Sequence, residues 1–219
     1  MTTPKTIAIV GATGRMGSII ARTLADAQYR LVLMANHREK LAALEKELVQ
    51  IYDADVTLTT DAREAAWEAD IVILATPAEV EINVAGSIRD VVAGKIIISI
   101  SARDNKKTDA SAAEELQRKL PYSRVVKTFN TVHMSTYVSP AVSCKSAVVF
   151  VAGNNGDAVG VVTELGRKAG FSPMIVGDLS ASRALERMGF QQNQRIAAIG
   201  LAKRIMEQAR GDSSEPTIL

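Results

Sequence analysis

The run IAIVGATGRMG, Ile7 to Gly17, constrains this chain more than any other segment. A continuous apolar stretch, which reads as a buried strand, breaks into Gly11, Gly14 and Gly17, and the helix-compatible stretch Ser18 to Leu24 follows at once. Strand, glycine turn and helix in this order set a pyrophosphate against the amides of a helix N-terminus. Each glycine answers a different need. The first permits the tight turn, the second lets the backbone approach the phosphates, and the third lets helix and strand pack closely. Glycine-rich turns also occur where no nucleotide binds, so context matters: this one follows a strand and lies at the start of the sequence.

Beyond the turn, apolar runs alternate with helical patterns. The expected strands are Thr6–Val10, Leu31–Ala35, Val56–Thr59, Ile71–Thr76, Lys95–Ser101, Arg124–Phe129, Ala147–Ala152 and Pro173–Val176. IVILA and KIIISI are continuous rather than alternating, as in strands covered on both faces by helices. The expected helices are Arg15–Ala27, Arg38–Ile51, Ala62–Ala69, Glu79–Val92, Ala110–Leu120 and Asp157–Ala169. Repeated strand–helix units predict an α/β fold of Rossmann type, a doubly wound, mainly parallel sheet with right-handed crossovers. After Leu179 the pattern changes. No strand is legible, and Leu185, Met188, Ile196, Ile199 and Ile205 recur at roughly helical spacing, with Gly189 and Gly200 weakening the helix. Residues 1–178 are therefore expected to form the nucleotide-binding domain. Residues 179–219 are expected to form a short helical extension that packs on the core or on a second subunit, ending in a frayed polar tail from Gly211.

Composition narrows the function classes. The chain has 219 residues, 47% of them hydrophobic, which suits one α/β domain with at most a small appendage. A net charge of +2 and 4% aromatic residues offer neither a basic surface nor a stacking platform, so nucleic acid and anionic membranes are not expected partners. The single cysteine, Cys144, excludes an internal disulfide and a cysteine-based metal cluster, and no metal site is expected. The N-terminus is polar up to Thr6, and no apolar stretch reaches the length of a membrane span, so a cytoplasmic location is expected.

The end of the second strand separates NAD from NADP. An NAD site commonly places an acid there, about 20 residues beyond the glycines, to hold the ribose 2′-hydroxyl. Here LVLMA runs into Asn36, His37 and Arg38, then Glu39 and Lys40. The first three positions hold no acid, and two of the five are basic. Cations at a helix N-terminus oppose the helix dipole, and a bound 2′-phosphate explains why they are tolerated. The segment is read as selecting NADP(H), against the alternative of a solvated helix start with incidental charge.

GATGRMG followed by the basic NHREK segment resembles the NADPH-dependent coenzyme F-420 (8-hydroxy-5-deazaflavin) reductases, and the related cytosolic domain of membrane ferric reductases. ILATPAEV (Ile73–Val80), VVKTFNT (Val125–Thr131), VFVAGNN and GDLSASRALE extend the resemblance over nearly the whole chain. It implies hydride transfer between NADP(H) and a deazaflavin- or flavin-like acceptor. It also implies a pyrophosphate held at Gly11 and by the amides of Thr13, Gly14, Arg15 and Met16. Asn36 and His37 fall where the family usually has Ser and Arg beside the 2′-phosphate. His37 is thus a departure that offers less charge near neutral pH, with Arg38 as a substitute and Lys40 as a further contact. By the same resemblance, Thr76, Pro77 and Val80 line the cofactor, and Ile100 and the turn Val132–Met134 lie near the nicotinamide.

Hydride transfer between two bound rings needs no protein nucleophile, which fits a chain with two histidines. His133, in a turn where the resembled enzymes often have proline, is read in two ways: as a hydrogen-bond or proton donor to the substrate, or as a loop histidine facing water. Asn130 is expected to close its loop by side-chain-to-backbone hydrogen bonds. A Tyr-x-x-x-Lys mechanism is absent, because Leu33, Val56, Val126 and Ala141 stand four residues after the four tyrosines. A Gly-Arg-Met-Gly turn also occurs in dihydrodipicolinate reductase, whose paired histidines have no counterpart here. Two readings of the whole remain: an NADP-dependent oxidoreductase acting on a small-molecule electron acceptor, a homodimer through its C-terminal helices being one option, or an NADP(H)-binding redox sensor without turnover.

Overall fold

The structure, a computed structural model, describes residues 5–103, 110–131 and 147–191. In chain order its elements are β1 (Thr6–Val10), α1 (Arg15–Asp26), β2 (Arg30–Met34), α2 (Arg38–Tyr52), β3 (Val56–Thr59), α3 (Ala62–Glu68), β4 (Ile71–Leu74) and α4 (Ala78–Ile88). They continue as β5 (Ile96–Ser99), α5 (Ala112–Lys119), β6 (Arg124–Lys127), β7 (Val148–Gly153), α6 (Gly156–Lys168) and β8 (Ser172–Gly177). A 3-10 turn at Leu179–Ala181 leads into a helix over 182–191, the last among the described residues. Each of the eight strands and six helices expected before Leu179 is present, and the expected helical pattern beyond residue 191 lies outside the described residues.

The eight strands form one sheet in the order β3-β2-β1-β4-β5-β6-β7-β8. The first six are parallel and β7 to β8 is parallel, but β6 and β7 run antiparallel, with Val126 opposite Gly153. Strand order reverses between β1 and β4, which opens a crevice at the C-terminal ends of those strands.

The continuous apolar runs reflect burial on both faces. Ile7 and Ile9 of β1, Leu31 and Leu33 of β2 and Ile71 and Ile73 of β4 pack into one core with Leu24 of α1, Leu41 and Leu48 of α2 and Val162 of α6. The alternate residues Ala8, Val10, Val32, Val72 and Leu74 pack into a second core with Ala65 of α3, Ile88 of α4 and Leu116 of α5. Alternation thus persists, with both phases apolar. β8 departs from this. As the edge strand it leaves Met174, Ile175 and Val176 exposed.

Several expected strands end early, because apolar composition continues past the last ladder hydrogen bond. β6 stops at Lys127, and two residues on Phe129 takes a φ of +60°, which no strand accommodates. Thr76, Ser101 and Thr128 therefore lie on the crests above the sheet rather than in it.

Candidate cofactor site

The site is built at the crests of β1, β2 and β4. Gly11 has a φ of +88°, and a Cβ there would lie 2.7 Å from the carbonyl oxygen of Ala75 and 3.0 Å from Thr76 Cγ2. Its amide donates to the Met34 carbonyl at 2.9 Å, as does that of Ala12 at 3.0 Å. The glycine turn is thereby pinned between the ends of β2 and β4. Gly14 is exposed at the N-cap of α1, and Gly17 is buried where a Cβ would collide with the Gly11 carbonyl oxygen. The three glycines thus serve the turn, the open approach and the close packing in that order.

Helix capping marks the same place. Asp61 caps α3 by accepting from the Arg63 and Glu64 amides, Ser111 forms a capping box with Glu114 on α5, and Asn155 caps α6. α1, α2 and α4 begin at Gly14, His37 and Pro77 without a side-chain cap. These three helices follow β1, β2 and β4, the strands that bound the crevice. The Val80 amide of α4 donates back to the Pro77 carbonyl at 2.9 Å, and the amides that precede the first intrahelical bond of each helix are left for an external acceptor. α1 has no acid in its first turn.

Asn36, His37, Arg38 and Lys40 are exposed at the start of α2, and Arg15, Arg38 and Lys40 have no carboxylate partner among the described residues. Met16 turns its side chain into the first core, so only its backbone faces the notch. Thr13 is half-buried, Pro77 and Val80 are exposed at the start of α4, and Ile100 is buried in the first core, which also holds Val126 and Phe129. Val132, His133 and Met134 lie outside the described residues, as do Cys144, Ile196, Ile199 and Ile205. Buried oxygens without a hydrogen-bond partner collect on the crests: Thr76 Oγ1 above β4, and Thr128 Oγ1, Asn130 Oδ1 and Thr131 Oγ1 above β6. Such atoms call for a partner. A glycine notch, open helix starts, unpaired cations and these oxygens together fit a phosphorylated dinucleotide.

A cleft of about 430 Å³ lies to the side, between α2 and the β3–α3 turn, lined by Arg38, Leu41, Leu58, Thr59, Asp61 and Glu64. Its carboxylates are already engaged, Asp61 with the α3 amides and Glu64 with Thr59 Oγ1. The carboxylates lie on its β3–α3 side and Arg38 on its α2 side.

The sequence reading missed a charged cluster buried behind Ile100. Glu81, Ser99, Lys127 and Glu186 are wholly buried and Ser101 nearly so. Ser99 Oγ donates to Glu81 at 3.0 Å, and Ser101 donates to it through Oγ at 2.9 Å and through its amide at 3.3 Å. Lys127 Nζ donates to Ser99 Oγ at 3.0 Å and to the Ser101 carbonyl at 2.5 Å, and pairs with Glu186 Oε1 at 3.2 Å. Glu186 also accepts from the Ala112 and Ala113 amides at the start of α5. Burial pushes the Glu81 carboxyl up to about 7, against the opposing pull of Lys127 and of the two serines. One signal was available: Glu81 falls in helical register with the apolar positions Ala78, Ala85 and Ile88.

Asn130 does form a side-chain-to-backbone hydrogen bond, but to another element. Its Nδ2 donates to the Leu185 carbonyl at 2.7 Å, tying the β6 crest to the 182–191 helix. In that helix Leu185 is buried, whereas Met188 is exposed rather than packed. Gly189 stands where a Cβ would lie 2.5 Å from the Asn130 carbonyl oxygen.

Fold and crevice define a dinucleotide-binding protein of the Rossmann class. The family described as NADP oxidoreductase coenzyme F420-dependent matches residues 6–103. The F420-dependent NADP reductase of Methanocaldococcus jannaschii is 30% identical over 199 residues, covering 82% of this chain and 87% of that one. Metalloreductase STEAP3 of Rattus norvegicus is 26% identical over 82% of this chain but only 35% of its own length. Among solved structures, an Arthrobacter sp. FB24 chain assigned as an F420-dependent NADP reductase superposes with a TM-score of 0.73 at 25% identity, covering 89% of this chain and 94% of that one. This chain belongs to the family of F420-dependent NADP oxidoreductases.

Proposed function

We infer that this protein is an oxidoreductase that transfers hydride between NADP(H) and an 8-hydroxy-5-deazaflavin, coenzyme F420. The observation that carries the reading is the match along most of both chains to an F420-dependent NADP reductase, joined to a crevice that leaves three helix starts open. NADPH, when bound, supplies the hydride that the deazaflavin ring accepts. The rest is positioning, orientation and exclusion of water.

For the individual residues we propose the following roles. The amides of Thr13, Gly14, Arg15 and Met16 hold the diphosphate over Gly11. Asn36, His37, Arg38 and Lys40 receive the 2′-phosphate, with Arg38 making up for the histidine. Thr76, Pro77 and Val80 flank the cofactor, and Ile100, Val132 and Met134 border the nicotinamide, where His133 is a candidate donor to the acceptor. We also propose a nucleotide-binding domain over 1–178 with a helical extension over 179–219, a homodimer and a cytoplasmic location. Burial of Leu179 and Leu185 supports the start of that extension. No helix among the described residues is long and apolar enough to cross a membrane.

A screen of NADPH oxidation against coenzyme F420, flavins, ferric chelates and quinones tests the reading. Turnover fastest with F420 supports it. Tight NADPH binding with no acceptor-dependent oxidation overturns it in favour of a sensor.

A further inference from the structure

Lys127 is a fully buried ammonium in a strand whose neighbours Val125 and Val126 are apolar. Its partners come from two different places. Ser99 and Ser101 bracket the β5 crest, and Glu186 belongs to the 182–191 helix, where it also holds the first amides of α5. Lys127 itself begins the β6 crest, whose next residues include Phe129 at a positive φ and Asn130, bonded to the same C-terminal helix. One nitrogen therefore ties two sheet crests to the chain's last described helix.

Ile100 stands between the two serines. Their hydroxyls reach Glu81 on the α4 side, while Ile100 belongs to the core of the opposite face, which also holds Val126 and Phe129. Fixing Ser99 and Ser101 fixes the direction of Ile100. Stability does not account for such a cluster, because a buried ion pair is commonly matched or bettered by apolar side chains of similar volume. Its distinctive effect is geometric: charged partners accept few arrangements, whereas apolar ones accept many.

We propose that Lys127 is a positioning residue for hydride transfer, locking the β5 crest, the β6 crest and the 182–191 helix into one wall that presents Ile100 to the reacting rings. This rests on the function inferred above. Lys127 touches neither ring. It acts through Ser99 and Ser101 on Ile100, and through Glu186 on the helix.

The test compares Lys127→Met and Glu186→Gln with the unaltered full-length chain, well below each melting temperature. It measures NADPH affinity by calorimetry, and kcat and KM for coenzyme F420. The notch that holds the diphosphate is built on β1 and α1, so NADPH affinity should stay within about threefold. A cleft wall displaced by a fraction of an ångström should lower kcat by about tenfold or more. That split between binding and turnover is one that loss of stability alone does not produce. A folded Lys127→Met protein with unaltered kcat and KM overturns the proposal. If that variant does not fold, Glu186→Gln, which keeps the shape and removes one charge, decides by the same criterion. The unaltered chain separates the two claims: no F420 turnover there overturns the functional reading and the positioning role with it, whereas normal turnover there and in the variants overturns the positioning role alone.

Discussion

Gly17 packs directly beneath the carbonyl oxygen of Gly11, so close that any side chain at 17 must displace the turn. Gly14, three residues earlier, has more room: a Cβ there would lie 3.2 Å from the same oxygen and would otherwise face outward. Gly14→Val should therefore keep the fold and lose both NADPH and NADH, because the new side chain fills the diphosphate notch. Gly17→Val should lower the melting temperature markedly, by overpacking costing about 1–3 kcal/mol or more. Thermal melts and calorimetry separate the two. A Gly14→Val protein with unchanged affinity contradicts the assignment of the notch.

Arg38 and Lys40 have no carboxylate partner in the described structure, so removing them should cost little stability. Arg38→Ala with Lys40→Ala should weaken NADPH at least tenfold, the loss of charge-assisted bonds worth about 1.5–3 kcal/mol, and leave NADH nearly unchanged. Equal losses for both cofactors would show that these residues do not read the 2′-phosphate.

Glu81 makes stability depend on pH. Its carboxyl has an ordinary value of 4.5 and is raised to about 7 in the fold. Between those values the folded state holds more protons than the unfolded one, so stability falls as pH rises through the window and its loss is complete above it. The melting temperature should drop by on the order of 5 °C from about pH 5 to about pH 8. Glu81→Gln should flatten this slope. A slope that survives the substitution assigns the titration to another group.

Two helical glycines should respond in opposite directions. Gly86 in α4 is exposed with nothing within 4 Å of a built Cβ, so Gly86→Ala should stabilise by about 0.5–1 kcal/mol. Gly189 abuts the Asn130 carbonyl, so Gly189→Ala should destabilise despite the better helix former. A rise in melting temperature for both would mean that the 182–191 helix does not press on the β6 crest.

How much was legible follows from what periodicity can report. The eight apolar runs and six helical patterns were readable because a strand covered on both faces is apolar in both phases, as Ile7–Ala8–Ile9–Val10 is. The direction of β7 was not readable, since the same residues serve either a parallel or an antiparallel ladder. The glycine roles were legible because φ and close approach depend on the residue itself. The charged cluster was not, because Lys127, Glu81 and Glu186 stand 46 to 105 residues apart in pairs, and only the fold brings them together. The open helix starts had a half-visible signal. Gly14 and Pro77 are poor capping side chains, whereas Asp61, Ser111 and Asn155 are good ones, and the distinction gains meaning only once β1 and β4 are neighbours.

Hydride transfer from NADPH to a deazaflavin on this chain can be followed with an isotopic label. Anaerobic mixing of the protein with coenzyme F420 and NADPH deuterated at the nicotinamide C4 position tests it most directly. Catalytic bleaching of the deazaflavin is expected, slowed relative to unlabelled NADPH, with deuterium recovered on the deazaflavin carbon. Saturable NADPH binding with the deazaflavin left oxidised would contradict it.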